Sequence, residues 1–346
     1  MPSPRTTSVA AVVIGLLAAL AASGRAGADG VPAETYTETY TKAEAVFLQR
    51  DNQSTDQPLA EAGGIPLLTT GQLQFPVQPG LRLFHGDVDC DGYGWEAGYL
   101  GVWNMFSQAE ATGAADIQAP DPLALLVPDF NDRSQARATY ASTLNTIELN
   151  LFTRSFDGGF HRSAAQPWRR CDGYCAGTWD WLAGFRWAGI DEAAGISFAG
   201  GTTPVPSGYT LRSSTNLFGL QAGGRGRMEW DRWAVEGWAK AAVAGSAMSQ
   251  SQNAIANAVT PDPPVRQAQT ATEAGVGFIG DLHASIVYRL TESWGVRAGY
   301  NLLWISGAAL APNQFDFGPS STSGSTLHGG SGMFLHGASL GLEARW

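Results

Sequence analysis

The chain has 346 residues, of which 44% are hydrophobic, 10% aromatic and only 15% charged, and it carries 43 Gly and 12 Trp. Disordered chains combine low hydrophobicity with high charge, so that class is excluded, and a formal charge of −10 disfavours nucleic acid as a partner. The only long apolar run, residues 9–22, is shorter than the ~18 residues of a membrane helix, which leaves a soluble all-β protein or a membrane β-barrel.

Residues 1–28 read as an export signal. Arg5 supplies the positive start, residues 9–22 the apolar centre, and Ala26-Gly27-Ala28 the small-residue cleavage pattern. Its removal strips Arg5 and Arg25 and takes the formal charge from −10 to −12. Residues 29–346 are then expected to form one exported domain. Its cysteines are Cys90, Cys171 and Cys175. An oxidising compartment allows one disulfide, and Cys171 with Cys175 is the candidate pair. Metal ligation is the weaker reading, because the thiols form no CxxC pair.

From residue 40 onward the polarity alternates with period two, as in strands whose successive side chains face opposite ways. In chain order the predicted strands are 40–50, 81–87, 93–106, 144–154, 178–189, 216–230, 233–245, 272–288, 294–305 and 334–346. In the fifth, Trp179, Trp181, Ala183, Phe185 and Trp187 oppose Asp180, Leu182, Gly184, Arg186 and Ala188. In the ninth, Trp294, Val296, Ala298, Tyr300, Leu302 and Trp304 oppose Arg297 and Asn301. Ten is an even number, as bacterial single-chain barrels require, and an extra hairpin inside a long loop would make twelve.

The connections alternate in length. Tight turns fall at 88–92, 231–232 and 289–293, and long Gly/Ser/Pro/Asn-rich segments at 51–80, 107–143, 190–215, 246–271 and 306–333. Short turns belong on the periplasmic side and long loops outside, which puts both termini in the periplasm. Segment 155–177 breaks this rule, being long but periplasmic in this threading.

Alternation alone would also suit a soluble sandwich, but two features favour a transmembrane antiparallel up-and-down barrel. Charges recur deep inside long strands, whereas ordinary strands run ~5–6 residues. Aromatics also cluster at the two ends of the apolar face: Tyr93, Trp95, Trp103, Trp179, Trp187, Trp230, Trp233, Trp294, Trp304, Phe334 and Trp346. A strand tilted ~40° climbs roughly 2.5 Å per residue, so ten residues between aromatics cover about 25 Å, the height of a bilayer's apolar band.

The inward face is predicted to hold the bases Lys42, Arg82, Arg186, Arg225, Arg227, Lys240, Arg297 and Arg345. Against them stand the acids Glu44, Glu96, Glu148, Asp180, Glu229, Glu236, Glu273, Asp281 and Glu343. Such a wall is nearly neutral, so most of the excess acid lies elsewhere. A backbone radius of roughly 10 Å for ten strands lets inward side chains occupy most of the width, which argues against a general diffusion pore. Small inward residues such as Gly98 and Gly299 leave a narrow water path open, tuned by the charged wall.

Catalytic motifs are scarce. Asp281 and His283 share the inward face two residues apart, an acid–His spacing better read as part of a hydrogen-bonded lumen, since neither HExxH nor GxSxG occurs. Asp87-Val88-Asp89-Cys90-Asp91-Gly92 imitates the start of a calcium loop, but its twelfth position is Gly98 rather than Glu, so a turn is the better reading.

Several stretches resemble a known family: Ala43-Glu44-Ala45-Val46-Phe47-Leu48-Gln49-Arg50-Asp51-Asn52, Leu144-Asn145-Thr146-Ile147-Glu148-Leu149-Asn150-Leu151, Leu182-Ala183-Gly184-Phe185-Arg186-Trp187, Arg297-Ala298-Gly299-Tyr300-Asn301-Leu302-Leu303-Trp304 and the closing residues 336–346. Together they resemble β-barrel porin family seven, the planctomycete-type outer-membrane β-barrel proteins. That resemblance implies an outer-membrane barrel with a channel role and carries over no catalytic residue.

The expectation is therefore an outer-membrane barrel, first as a narrow porin for small solutes or ions. The alternative is a non-conducting, plugged barrel with an envelope-structural or surface-binding role. No enzyme activity, cofactor or metal is expected. The expected partners are outer-membrane lipid and, through the last strand, the barrel-insertion machinery.

Overall fold

The computed structural model describes residues 37–89, 91–156, 176–201, 206–255, 264–318 and 320–346. The export segment and Cys90, Cys171 and Cys175 lie outside the described residues.

Ten long strands form the wall: β1 (Glu38–Asp51), β4 (Gln78–Val88), β5 (Tyr93–Gln118), β6 (Arg133–Phe156), β7 (Ala176–Ala199), β8 (Ser207–Trp230), β9 (Trp233–Gln252), β10 (Gln269–Arg289), β11 (Trp294–Ala308) and β12 (Ser331–Arg345). Each pairs antiparallel with its chain neighbours in the wall. β12 returns to β1 through Tyr40↔Arg345 to Asp51↔Phe334, which closes the sheet and leaves no edge. The short hairpin β2 (Pro58–Ala62) and β3 (Ile65–Thr69) attaches to the upper end of β5 through Glu61↔Gln118 and Ala62↔Ile117, adding no strand to the wall. The barrel is ten-stranded, as the alternation predicts. Among the described residues no helix is long and apolar enough to cross a membrane.

The turns at Asp89–Gly92, Asp231-Arg232 and Leu290–Ser293 share one end of the barrel, and β6 and β7 also meet there. Both described ends of the chain are tied together at this end. Thr39 N–H donates to Trp346 O at 2.9 Å, and Trp346 N–H returns a bond to Thr39 O at 3.0 Å. At the turn after β4, Asp89 Oδ1 accepts from the N–H groups of Asp91 and Tyr93 at 3.0 and 2.9 Å, so the Asp-rich stretch closes a turn with its own carboxylate.

The strands run well past the predicted boundaries, which is a correction to the sequence reading. β6 begins at Arg133 rather than 144, β8 at Ser207 rather than 216, and β7 continues to Ala199 rather than 189. Above the upper aromatics the polarity of the two faces swaps. On β6, Ile147, Leu149 and Leu151 face out while Thr146, Glu148 and Asn150 are buried inside; higher up, Ala136, Ala138 and Tyr140 are buried and Arg137 is exposed. Below the swap the wall turns apolar side chains outward, as a lipid-facing surface does, and above it polar side chains face out while the inside is packed with protein. On β5 the change is accompanied by a bulge between Val102 and Met105, where Asn104 takes a positive φ of 57°, a conformation Asn tolerates better than most residues.

The upper interior is filled by three loop segments packed on the strands. Leu59, Leu68, Leu73 and Phe75 come from the first loop, and Leu123, Val127 and Phe130 from the second, which includes the short helix α1 (Leu123–Leu126). Leu310, Ala311, Phe315 and Phe317 come from the last loop, and all these residues join Ile190, Ile196, Phe198, Tyr209 and Leu211 in one buried cluster. That cluster is a protein core inside a barrel mouth.

Candidate functional site: the barrel interior and outer rim

Below the apolar cluster the interior is charged. Lys42, Glu44, Arg82, Glu96, Glu148, Asp180, Arg186, Arg225, Arg227, Glu236, Lys240, Asp281, His283, Arg297, Glu343 and Arg345 are all buried there. Glu229 sits among them nearer the short-turn end, with its side chain 17% exposed. Glu273 is exposed instead, at the upper end of β10. β11 pairs with β10 only from Phe278 downward, so at Glu273 the strand has a wall neighbour on one side alone.

These side chains interlock into two connected arms joined at Glu38. In one, Glu38 holds Arg345 at 2.8 Å, and Arg345 holds Glu343 at 2.5 Å. Glu343 holds Arg297 at 2.8 Å and Arg227 at 3.0 Å. Both arginines reach Glu236, at 3.1 and 3.0 Å, where Lys42 also binds at 2.6 Å, and Arg297 further contacts Glu44. In the other arm, Glu38 holds Arg154 at 3.2 Å, Arg154 holds Asp180 at 2.9 Å, and Asp180 holds Arg225 at 2.8 Å. Arg225 continues to Glu96, which shares Lys240 at 3.4 Å with Glu148 at 3.0 Å.

Higher up, Asp281 accepts from Arg186 at 3.0 Å and from the Trp238 indole N–H at 3.1 Å, with Arg82 4.0 Å away. Trp238 is the aromatic centre of this layer. His283 stacks on it at 3.9 Å between centroids, and Arg82 and Lys240 lie over its face at 5.4 and 5.2 Å. His283 Nδ1 is 2.7 Å from Asn301 Oδ1. Asp281 and His283 thus share Trp238 and Arg82 as neighbours, while Arg186 serves Asp281 and Asn301 serves His283.

Arg154 and Glu38 escaped the sequence reading, although both keep the inward parity of their strands: Arg154 with Glu148 and Asn150, Glu38 with Lys42 and Glu44. Arg154 closes the predicted fourth strand, where parity already turns it inward, and extending the first strand's alternation one step back would have found Glu38. A second missed cluster lies in the upper half, where Arg50 meets Glu192 at 2.7 Å and Tyr140 hydroxyl at 2.6 Å. Glu192 also accepts the backbone N–H of Ala311 at 2.8 Å, which fastens the last loop inside the mouth. Burial holds the Tyr140 phenol well above its ordinary pKa, so it stays a hydrogen-bond donor.

The predicted aromatics lie on the outside. Tyr93, Trp95, Trp179, Trp230, Trp233, Trp294 and Trp346 are exposed around the short-turn end. Trp103, Trp187, Trp304 and Phe334 mark the upper ring, with Trp304 exposed and the other three half-buried. Between the rings Leu149, Phe185, Leu220, Val243, Leu282 and Leu340 are exposed. Polar tips of ring residues find partners on adjacent strands. Tyr99 hydroxyl and Trp103 indole N–H both donate to Asn145 at 2.8 and 3.0 Å, and Trp187 donates to Asn216 at 3.2 Å. Their rings shield backbone too: at Gly101 a Cβ would collide with Tyr99 and Trp103, so only glycine lets both rings lie down on the strand.

At the outer mouth a cleft of about 500 Å³ lies between the first, second and last loops, lined by Pro58, Pro120, Asp121, Pro122, Phe315 and His328 among others. Among the described residues no group of three or more His, Cys, Asp or Glu is placed to hold a metal ion.

No family model matches the chain, and no curated protein does. Among solved structures it is similar to the outer membrane protease OmpT from Escherichia coli, at 9% identity over 92% of this chain and 99% of that one, with a TM-score of 0.46. It is also similar to a major outer membrane protein from Thermus thermophilus, at 8% identity over 90% and 99% with a TM-score of 0.28. A third is a mutant of the TodX monoaromatic hydrocarbon channel, at 10% identity over 91% and 90% with a TM-score of 0.24. The chain is a transmembrane antiparallel β-barrel closed by ten strands.

Proposed function

We propose that this is an outer-membrane barrel whose bore is shut and which serves as a rigid carrier for a folded loop platform at the cell surface. The observation that carries this reading is the two-layer filling of the interior. A narrow ion pathway needs polar groups that can exchange partners with a passing ion, whereas here the inward carboxylates are gripped by neighbouring bases. Above them the loop residues Leu73, Phe75, Phe130, Leu310 and Phe315 close the mouth with apolar surface. The narrow-pore expectation gives way to the plugged alternative on these grounds.

The resemblance to the planctomycete-type barrel family and the outer-membrane location belong to this same proposal. The outer-membrane location is supported by the outward apolar band and its two aromatic rings, and the family resemblance rests on the sequence stretches alone. We read the protein as a non-enzyme, because Asp281 and His283 are each committed to other residues. The mouth cleft is the natural place for a surface ligand, being concave and built from three loops.

The test is planar-bilayer recording on the purified, folded protein. The expected result is a flat trace at all applied voltages, and discrete current steps that scale with protein concentration would overturn the reading.

A further inference from the structure

Polar side chains on the lipid-facing wall are few, and most are closed off by a neighbour. Asn145 is taken by Tyr99 and Trp103, Asn216 by Trp187, while Thr41 and His85 hold each other at 2.9 Å. The seam where β11, β12 and β1 meet is different. Strand register aligns three outward rows there: Trp304, Phe334 and Asp51 at the upper ring, then Leu302, His336 and Gln49, then Tyr300, Ala338 and Phe47.

His336 is the centre of this patch. Its Nδ1 is 2.8 Å from Tyr300 hydroxyl, its ring stacks on Phe334 at 5.5 Å, and its Nε2 stands 4.0 Å from Asp51 Oδ1, beyond hydrogen-bond reach. Asp51's side chain is half exposed, and Gln49 and Trp304 are exposed. Left facing outward are one ring nitrogen, carboxylate acceptors, an amide that both donates and accepts, and an indole face.

Interfacial Trp and Tyr sit at headgroup height, so this set of groups meets the headgroups of the outer leaflet. Anionic headgroups are recognised by clusters of Lys and Arg. The nine residues of the three rows include neither, and Asp51 would repel a phosphate. A sugar has the complementary chemistry: its hydroxyls donate to the carboxylate and accept from the amide, and its apolar ring face covers an aromatic. We propose that this seam binds the saccharide headgroup of an outer-leaflet glycolipid, with the acyl chains running down over Leu302, Phe47 and Leu340. The inference rests on the barrel lying in the outer membrane with its long-loop end outward.

The test uses native mass spectrometry of the full barrel in dodecylphosphocholine micelles, titrated separately with digalactosyldiacylglycerol and with phosphatidylglycerol. A saturable one-lipid adduct is expected with the galactolipid, at least about fivefold tighter than with phosphatidylglycerol. Gln49→Ala and Asp51→Ala are each expected to weaken it by about fivefold or more while keeping the heat-modifiable gel mobility of the folded barrel. Ala183→Ser, on β7 across the barrel from β12, should change nothing. Equal or tighter binding of phosphatidylglycerol, no saturable adduct, or undiminished binding by both variants would each overturn the proposal. A barrel that inserts into vesicles yet ignores sugar fails this inference alone; one that does not insert fails the reading beneath it.

Discussion

Glu236 illustrates what a single interior residue does. It accepts from Lys42, Arg227 and Arg297, and Arg345 lies 3.9 Å away, all in the buried interior. Removing one member of a buried charged network strands its partners and typically costs about 3–5 kcal/mol. Glu236→Gln should therefore lower unfolding stability in urea by that order, whereas Arg137→Ala, on the exposed upper wall, should stay within about 0.5 kcal/mol. A loss below about 1 kcal/mol for Glu236→Gln would mean water or rearrangement compensates the stranded bases. Which charges face inward was legible from parity alone. Their pairing was not, because partners such as Lys42 and Glu236 are 194 residues apart and meet only after closure of the wall. Glu273 kept the right parity and still ended exposed, since parity says nothing about how far up a strand its neighbour continues.

The upper strand halves and the last loop form one mechanical element. Its fastening points include Glu192 to Ala311 N–H, Thr215 hydroxyl to Ala309 N–H at 3.1 Å, Gln250 amide to Thr326 O at 2.8 Å and Arg266 to Asp316 O at 2.7 Å. Glu192→Ala removes the first and leaves Arg50 without its carboxylate. The expected outcome is faster cleavage in limited proteolysis within residues 318–326, while the membrane-embedded part resists as before. An unchanged digestion rate would show that the remaining fastenings suffice. Replacing both Arg50 and Glu192 by Leu should restore much of the lost stability, because a buried pair is often exchanged for apolar side chains at little cost. The sequence reading lost these strand halves to loop because it searched for an apolar outside and a polar inside. On β6 the pattern swaps after Leu144, and a reader following one phase sees the alternation end there.

For the molecule as a whole, the plugged reading proposed above rests on two layers in series. Replacing the mouth residues Leu73, Phe75, Phe130, Leu310 and Phe315 by Ser should therefore leave the bilayer trace flat, since the charged layer beneath persists. Adding Arg297→Ala and Lys240→Ala to that variant should produce measurable current. Because buried pairs are screened far less than exposed ones, raising salt from about 0.1 to about 1 M should move the unfolding midpoint little, by under about 1 kcal/mol. A steep salt dependence would indicate that water reaches the network. The strand count and the two aromatic rings were readable in the sequence, because the wall imposes the same alternation on every strand. The plug was not, since its apolar residues are scattered over three loops with no period of their own.

The long outer strand halves also set a height. From the upper ring at Phe218 to the top of β8 at Ser207, a climb of roughly 2.5 Å per residue lifts the mouth about 25–30 Å clear of the headgroups. On the proposed outer-membrane reading, the protein is a stiff pillar whose summit stands nearly a second bilayer thickness above the upper ring. An epitope tag placed in the connection between β7 and β8 should be reachable by antibody on intact cells, and the same tag at Asp231-Arg232 should be silent until the envelope is breached.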